Sequence, residues 1–334
     1  MQLEGKRFLL IGGAGFIGSW IAEELLKRDV AEVLIYDNFC RGRLENLSAA
    51  LRDPRCKIFP LGGDILHADL LERAMQGMDG VFHAAALWLL HCQEYPDSAF
   101  EVNVRGTYNV IRAVLRAGVS RLVFSSSASV YGNAVEIPMT EEHPYNNNTF
   151  YGATKIAGEH LLKALGHQHD LAWIGLRYMN VYGPRQDYQG AYTAVMHKVL
   201  DRIEIGERPQ VHGDGSQEYD FIHVRDVARC NVLAMACEAR GGFYNVGRGV
   251  GTTIRELTDL LLNLTGSGLE AEYLPAEQSF VTKRIGCTKR AEQELGFRWQ
   301  IDLREGMREL IDWRRQDAAR LRSAAGAAQT KLGA

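Results

Sequence analysis

The chain has 334 residues, of which 46% are hydrophobic and 24% charged, and its formal net charge is −3. This composition is that of a globular protein large enough to bury an extensive core, in one large domain or two. The small negative charge gives no general attraction to nucleic acid or to an anionic membrane, and no apolar stretch reaches the roughly 20 residues that span a bilayer. Six cysteines without Cys-x-x-Cys spacing predict reduced thiols and no metal site, as expected of a cytoplasmic protein.

The first predicted element is a buried strand at residues 8–11, which runs directly into the turn Gly12-Gly13-Ala14-Gly15-Phe16-Ile17-Gly18. Apolar residues at helical spacing after the turn predict an amphipathic helix. Glycines at positions 12, 15 and 18 let the backbone approach a pyrophosphate closely, and the helix N-terminus offers free N–H groups to that anion. Strand, turn and helix in this order predict a dinucleotide-binding site.

A second apolar run, residues 32–36, predicts the next strand and ends at Asp37. A carboxylate at the end of this strand accepts hydrogen bonds from an adenosine ribose and repels a 2′-phosphate. We therefore predict NAD, and not NADP, as the cofactor.

Strand-like and helical segments then alternate as far as residue 183. The strands are predicted at 57–61, 80–83, 122–124 and 173–176, and the main helices at 68–75, 98–117 and 151–165. Repeated strand–helix units with short loops predict an α/β fold with a doubly wound parallel sheet, the Rossmann architecture, over residues 1–183.

Shorter and more mixed segments follow Gly183-Pro184, among them a predicted strand at 243–245. They predict a smaller mixed α/β lobe at 184–322, which would bind the substrate. The Ala- and Gly-rich residues 323–334 are expected to form a frayed tail.

Tyr151 and Lys155 begin the helix predicted at 151–165 and are four residues apart, so both side chains can point into one cleft. A nearby ammonium favours phenolate and lowers a pKa that is about 10 in water, which would make Tyr151 a general base. A bare Tyr-x-x-x-Lys also occurs as an ordinary exposed pair. Ser125-Ser126-Ser127 ends a predicted parallel strand, at the sheet edge where such folds bind ligands, although loop polarity explains it equally well.

Taken together, these patterns resemble the extended short-chain dehydrogenase/reductase family, and within it the NAD-dependent nucleotide-sugar 4-epimerases. The resemblance is carried by Gly12 to Gly18, Asp37-Asn38, Asp64, Ala84-Ala85, Asn103, Ser-Ser-Ser-Ala-Ser-Val-Tyr-Gly at 125–132, Tyr151-x-x-x-Lys155 and Leu-Arg-Tyr-Met-Asn-Val-Tyr-Gly-Pro-Arg-Gln at 176–186.

The resemblance implies a role for each matching residue, beginning with Ser127, Tyr151 and Lys155 as the catalytic triad. The residues that it implies for NAD are Gly12, Gly15, Phe16, Ile17, Gly18, Asp37, Asn38, Asp64, Ile65, Ala84, Ala85, Asn103, Ser125, Tyr151, Lys155 and Tyr178. The residues expected at the substrate are Leu87, Ser127, Asn180, Arg185 and Tyr219. A homodimer joined through the helices at 98–117 and 151–165 is also implied.

The implied reaction is epimerisation at C4 of a nucleotide sugar through a transient 4-keto intermediate, in nucleotide-sugar metabolism and polysaccharide biosynthesis. The expected substrate is a UDP-hexose, a UDP-N-acetylhexosamine or a uronic acid. A 4,6-dehydratase, a C4 dehydrogenase/reductase and an NAD(H)-binding sensor protein stay open as alternatives. The related dehydratases carry an Asp-Glu pair directly after the catalytic Ser/Thr, where this chain has Ala128 and Ser129.

Several positions depart from the family pattern on the substrate side. Tyr219 stands where relatives often carry an arginine that grips the substrate phosphates, and a second such arginine is absent near Glu277-Gln278. Lys283 and Arg284 are close enough in sequence to substitute. Residues 87–90, Leu-Trp-Leu-Leu, follow the fourth strand, so either one of them faces the ligand or all pack under the C-terminal lobe.

Overall fold

Seven parallel strands form the central sheet of the computed structural model, which describes residues 1–188, 194–276 and 281–332, with side chains as far as residue 323. The strands are β1 (Arg7–Ile11), β2 (Glu32–Tyr36), β3 (Cys56–Ile58), β4 (Gly80–His83), β5 (Arg121–Ser127), β6 (Ala172–Tyr178) and β10 (Phe243–Val246). Their spatial order is β10-β6-β5-β4-β1-β2-β3. The order reverses at β1, so the predicted doubly wound fold is confirmed, with its switch point at the glycine-rich turn.

Helices cover both faces of this sheet because successive residues of each strand point to opposite sides. In β1, Phe8 and Leu10 belong to one buried cluster, and Leu9 and Ile11 belong to another. The first cluster is covered by α1 (Phe16–Leu26) and α8 (Val224–Ala236). The second is covered by α2 (Ala68–Met75), α5 (Thr107–Ala117) and α6 (Phe150–Gln168).

β10 belongs to the central sheet and α8 packs against it, although the sequence pattern placed this strand in the C-terminal lobe. β10 pairs in parallel with β6, with Tyr244 opposite Leu176, and α8 packs beside α1. Tyr244 and Val246 are completely buried. A strand this short carries no local signal of which sheet it joins, so only the pairing reveals its place.

The remaining elements build the smaller mixed lobe. Its main sheet consists of β7 (Asn180–Tyr182), β9 (Glu218–His223), β11 (Gly251–Thr253) and β13 (Lys283–Arg284), and a second pair consists of β8 (Gln210–His212) and β12 (Glu272–Leu274). The lobe's helices are α7 (Val195–Glu204), α9 (Ile254–Thr265) and α11 (Leu303–Leu332), and α10 (Lys289–Leu295) packs near β10. A separate buried cluster, which includes Tyr182, Met196 and Leu257, holds the lobe together.

One helical prediction needs correction. The single helix predicted at 98–117 consists of α4 (Pro96–Ala99), a π-helical turn (Phe100–Gly106) and α5, and α3 (Leu89–Glu94) precedes them. Residues 323–332 continue α11, because this stretch is rich in alanine, which has the highest helix propensity, and fraying of the tail stays a prediction. Within the described residues, no helix is both long and apolar enough to cross a bilayer.

Candidate active site

The turn after β1 forms a cradle that only glycine can build. Gly12 has a φ of 78°, and a Cβ atom there would lie 2.6 Å from the backbone nitrogen of Ala85. At Gly18 an added Cβ would collide with the carbonyl oxygen of Gly12. The N-terminus of α1 follows with no side-chain cap and no acidic residue in its first turn. The cradle therefore fits the pyrophosphate of a dinucleotide, which needs close backbone approach and free N–H groups.

A cavity of about 1310 Å³ extends from this cradle between the two halves of the molecule. Its walls include most of the residues predicted to hold NAD, namely Gly12, Gly15, Phe16, Ile17, Gly18, Asp37, Asn38, Asp64, Ile65, Ala84 and Ala85. The opposite wall comes from α11, where Arg308, Asp312 and Arg320 face the same space. The structure thus brings these predicted residues to one cleft, as expected of a cofactor site.

Asp37 lies at the cavity wall with its carboxylate largely buried. Its Oδ2 accepts a hydrogen bond from the Ala14 nitrogen at 2.8 Å, and its Oδ1 accepts one from the Phe39 nitrogen at 2.8 Å. Burial raises the pKa of this carboxyl, and the backbone N–H groups oppose the rise. A carboxylate offers about four acceptor positions, so capacity is left for a ribose. Selection of NAD by this group stays a prediction.

The catalytic candidates come from two elements that meet at the carboxyl edge of the sheet. Ser127 ends β5, and Tyr151 and Lys155 lie on the first turns of α6, whose N-cap Thr149 accepts a hydrogen bond from the Gly152 nitrogen. Ser127 is close enough to Tyr151 to lower the pKa of that phenol, and the Ser127 hydroxyl donates to Ser129 Oγ at 3.1 Å. The Lys155 ammonium lies 5.7 Å from the centre of the Tyr151 ring and donates to the Ser125 carbonyl at 2.8 Å. The three predicted side chains are therefore neighbours.

The expected phenolate form of Tyr151 is not supported. Burial raises the pKa of Tyr151 to about 12, while the Ser127 hydrogen bond and the charge of Arg284 oppose the rise. Burial also lowers the pKa of Lys155 to about 8. The prediction counted the cation and left out desolvation, which dominates in this enclosed site. Near neutral pH, Tyr151 is thus a neutral hydroxyl able to donate a proton.

Ser125, Tyr178 and Asn103 lie beside the catalytic group and outside the cavity lining among the described residues. Ser125 Oγ and the Tyr178 hydroxyl are 2.9 Å apart, and Tyr178 donates to Asn231 at 3.0 Å. Asn103 accepts from the Leu87 nitrogen at 2.7 Å and donates to the Leu87 carbonyl at 2.9 Å. These three residues hold the site together, and direct contact with NAD stays a prediction for them.

Leu87 and Trp88 line the cavity, which favours the ligand-facing alternative for the loop after β4. The guanidinium of Arg41 stacks over the Trp88 ring at 3.3 Å from its centre, and Arg41 also contacts Asp187 at 3.4 Å. The stack joins the loops after β2 and β4. Sequence reasoning missed Arg41 and Trp88 as partners because no local pattern relates residues so far apart.

The predicted substrate residues are largely engaged with the protein itself. Asn180 donates to the Asp220 carbonyl at 3.2 Å, and Tyr219 donates to the Val281 carbonyl at 2.6 Å. Arg185 stacks over the Trp20 ring at 4.0 Å, pairs with Glu23 and lines the cavity. Glu277 and Gln278 lie outside the described residues. Substrate contact stays a prediction for these side chains.

A buried ion pair behind the catalytic group was also missed. Arg177 of β6 and Glu159 of α6 are 2.7 Å apart and almost fully buried, and Ser126 donates to Glu159 at 2.6 Å. The pair ties α6 to the end of β5, where Ser127 begins the catalytic loop. Its signal in the sequence is a charged residue in the otherwise apolar strand β6, which needs a partner when buried.

A model of the NAD dependent epimerase/dehydratase family matches residues 8–247 of the chain. The chain belongs to this family. It is 33% identical over 308 residues to a putative UDP-glucose 4-epimerase of Methanocaldococcus jannaschii, with 91% of this chain and 97% of that protein covered. It is equally 33% identical, over 326 residues, to a dTDP-glucose 4,6-dehydratase of Actinoplanes sp., with 92% and 98% covered.

A solved structure of a relative supports the assignment of this chain to the epimerase/dehydratase family. The UDP-glucose 4-epimerase of Thermus thermophilus in complex with NAD superposes with a TM-score of 0.81 at 33% identity, covering 92% of this chain and 99% of that one. The chain is therefore an enzyme of an NAD-dependent family, and its glycine cradle and cavity fit that cofactor.

Proposed function

We propose that this protein is an NAD-dependent nucleotide-sugar 4-epimerase that acts on a UDP-hexose, a UDP-N-acetylhexosamine or a UDP-uronic acid. The observation that carries the proposal is the grouping of Ser127, Tyr151 and Lys155 at the carboxyl end of β5, which pairs with β4, the strand that precedes the cavity-lining loop 84–87. Similarity to UDP-glucose 4-epimerases over nearly the whole chain supports it.

In this proposal the side chains of the protein transfer one proton and hold the substrate sugar in position. The hydroxyls of Ser127 and Tyr151 bracket the C4 oxygen, and Tyr151, after losing its own proton, takes the proton of the C4 hydroxyl in one direction and returns it in the other. Lys155, anchored on the Ser125 carbonyl, places a positive charge beside this pair. Bound NAD supplies the hydride chemistry at C4. Rotation of the keto sugar in the site then exposes its other face.

Epimerisation is favoured over dehydration because the groups for elimination are missing beside Ser127. Loss of water needs an acid that protonates the leaving C6 hydroxyl and a base that takes the C5 proton. Ala128 has no transferable proton, and the hydroxyl of Ser129 is too weak an acid to replace a carboxyl group. Two carboxylates of the following loop point to other partners, since Glu141 accepts from the Asn245 nitrogen at 2.7 Å and exposed Glu142 faces Arg290 at 3.5 Å. A 4-keto sugar held here can only regain hydride at C4.

The test is to incubate the NAD-loaded protein with UDP-glucose, UDP-N-acetylglucosamine and UDP-glucuronate in D₂O and to examine the products by NMR. We expect a mixture of C4 epimers of one substrate with no deuterium at C5 or C6. A 6-deoxy-4-keto product with deuterium at C5 would instead make the protein a dehydratase. Net accumulation of NADH would make it a C4 dehydrogenase.

We also infer a homodimer in the cytoplasm that supplies precursors for polysaccharide synthesis. Support for the dimer comes from apolar side chains exposed on the predicted surface, Phe100 at 51% and Phe150 at 42%. Free cysteines at all six positions agree with a reducing compartment. Light scattering should give twice the chain mass, and Phe100→Arg should give monomers. A wild-type monomer would contradict the dimer.

A further inference from the structure

The loops that follow β4 and β2 meet across the position of the glycine turn. β4, β1 and β2 are neighbouring parallel strands, so the turn after β1 leaves the carboxyl edge of the sheet between these two loops. The guanidinium of Arg41, in the loop after β2, lies 3.3 Å from the centre of the Trp88 ring, in the loop after β4. The contact between the two outer loops therefore crosses the edge of the sheet where the glycine turn emerges.

A carboxylate from a third segment holds the arginine in this position. Asp187 follows β7, and its carboxylate lies 3.4 Å from the guanidinium of Arg41 and 3.7 Å from that of Arg43. Four side chains that make these contacts, which we call the clasp, all line the cavity, namely Arg41, Arg43, Trp88 and Asp187. The clasp therefore joins three walls of the cofactor cavity through contacts between protein side chains.

Each segment of the clasp is attached to the body of the fold. The Arg43 nitrogen donates to the Ala14 carbonyl of the glycine turn at 3.1 Å. The Leu87 nitrogen donates to the Asn103 side chain at 2.7 Å, which fixes the loop after β4. The segment after β7 is held on α1 by the Trp20 indole, which donates to a backbone carbonyl at 3.1 Å. These anchors fix the backbone on all three sides, so opening of the clasp needs only the side chains to part.

The clasp lies at the rim of the cavity. The side chains of Arg41 and Asp187 keep 35% and 33% of their surface exposed, respectively. At this depth a cation–π contact and an ion pair are each weak, so they break and re-form without unfolding of the chain.

We propose that the clasp retains the dinucleotide in the cleft, and that NAD enters and leaves when the stack of Arg41 on Trp88 opens. The pyrophosphate fits the cradle at Gly12 and Gly18, and the clasp crosses the sheet edge at that cradle. The inference goes beyond the proposed function, because it concerns exchange of the cofactor and involves no sugar. Slow exchange suits a reaction in which one hydride is taken up and returned within a turnover.

The test compares the rate of cofactor release with the affinity for the cofactor. Release is followed by the loss of NADH fluorescence when NADH-loaded protein is mixed with excess NAD, and the Kd by equilibrium dialysis with NADH. Arg41→Met should release NADH about threefold to thirtyfold faster, the range that corresponds to one cation–π contact. Because the clasp is made of contacts between protein groups, its loss should speed entry as well, and the Kd should stay within about twofold of wild type.

Further variants isolate the stack from other effects of the substitution. Trp88→Leu should release NADH as fast as Arg41→Met, whereas Trp88→Phe keeps an aromatic face for the guanidinium and should stay close to wild type. Arg255→Met is the matched control, because Arg255 also lies over an aromatic ring, that of Tyr273 at 5.6 Å, at a place away from the cavity lining. It should leave both the release rate and the Kd unchanged.

Unchanged release by both Arg41→Met and Trp88→Leu overturns the proposal. A Kd that weakens by the same factor as release accelerates also overturns it, because Arg41 and Trp88 would then bind the cofactor directly and not control its exchange. A wild-type protein that binds no NADH would do the same. None of these measurements uses a nucleotide sugar, so their outcome is independent of the D₂O experiment that tests the reaction.

Discussion

The predicted cofactor side and the predicted substrate side of the site are built from different parts of the chain. The cofactor side uses backbone, with glycines at 12 and 18 and the adjoining Ala85, and its predicted residues line an open cavity. The predicted substrate side uses long side chains from distant segments, such as Tyr219 and Arg284, which lie opposite each other on neighbouring strands. Short sequence motifs predict the backbone geometry of a turn, whereas they do not predict side-chain contacts between distant segments.

The same contrast explains where the chain departs from its relatives' pattern. A dinucleotide site tolerates little change, since a single Cβ at Gly12 would block the approach of Ala85. On the predicted substrate side, Tyr219 stands where the resemblance implies an arginine, and its hydroxyl donates to the Val281 carbonyl at 2.6 Å. The predictions below test this difference in order of expected effect.

The largest effect should come from the tyrosine of the proposed catalytic group. Tyr151→Phe removes the hydroxyl that exchanges the C4 proton and should lower turnover by about 10²–10⁴-fold, the usual contribution of a general acid–base group. Bound NAD, measured after denaturation of the purified protein, should be unchanged. Retention of more than about a tenth of wild-type turnover would remove Tyr151 from the chemistry.

A methyl group added at Gly12 should prevent NAD binding because it displaces the backbone of the glycine turn. Gly12→Ala adds a Cβ against Ala85 at a positive φ and should abolish NAD retention. Gly206→Ala is the matched control, because Gly206 has a φ of 76° with nothing within 4 Å, and it should cost only the roughly 1–2 kcal/mol of a left-handed alanine. Thermal melting and NAD content report both effects. Similar NAD content in the two variants would contradict the cradle.

The dependence of turnover on pH should follow the protonation of Lys155. Burial lowers the pKa of its ammonium to about 8, with Cys92 and Glu159 opposing, so the positive charge is present below that pH and lost above it. If the charge is needed, turnover should fall by about tenfold per pH unit above pH 8. Lys155→Arg keeps a cation at high pH and should flatten this decline. A wild-type profile that is level to pH 10 would show that the charge is not needed.

The smallest effect should come from Asp37. Replacing it with alanine removes the repulsion of a 2′-phosphate, so the preference for NADH over NADPH should shrink by about tenfold, the scale of one charged contact. Fluorescence titration with both cofactors measures this. Because Asp37 also accepts from the nitrogens of Ala14 and Phe39, Asp37→Asn is the better-matched variant. Equal binding of NADPH and NADH by the wild type would refute the selection.

The sequence by itself determined the parallel, doubly wound sheet through alternating strand and helix segments, the cofactor turn through Gly12, Gly15 and Gly18, and the neighbourhood of Tyr151 and Lys155 through helical spacing. These features depend on residues a few positions apart, which obey local geometry. Only the tertiary structure decided that β10 joins β6, and that burial raises the pKa of Tyr151 and lowers that of Lys155. Strand pairing and desolvation depend on residues that are distant in the sequence and close in the fold, so no local sequence pattern predicts them.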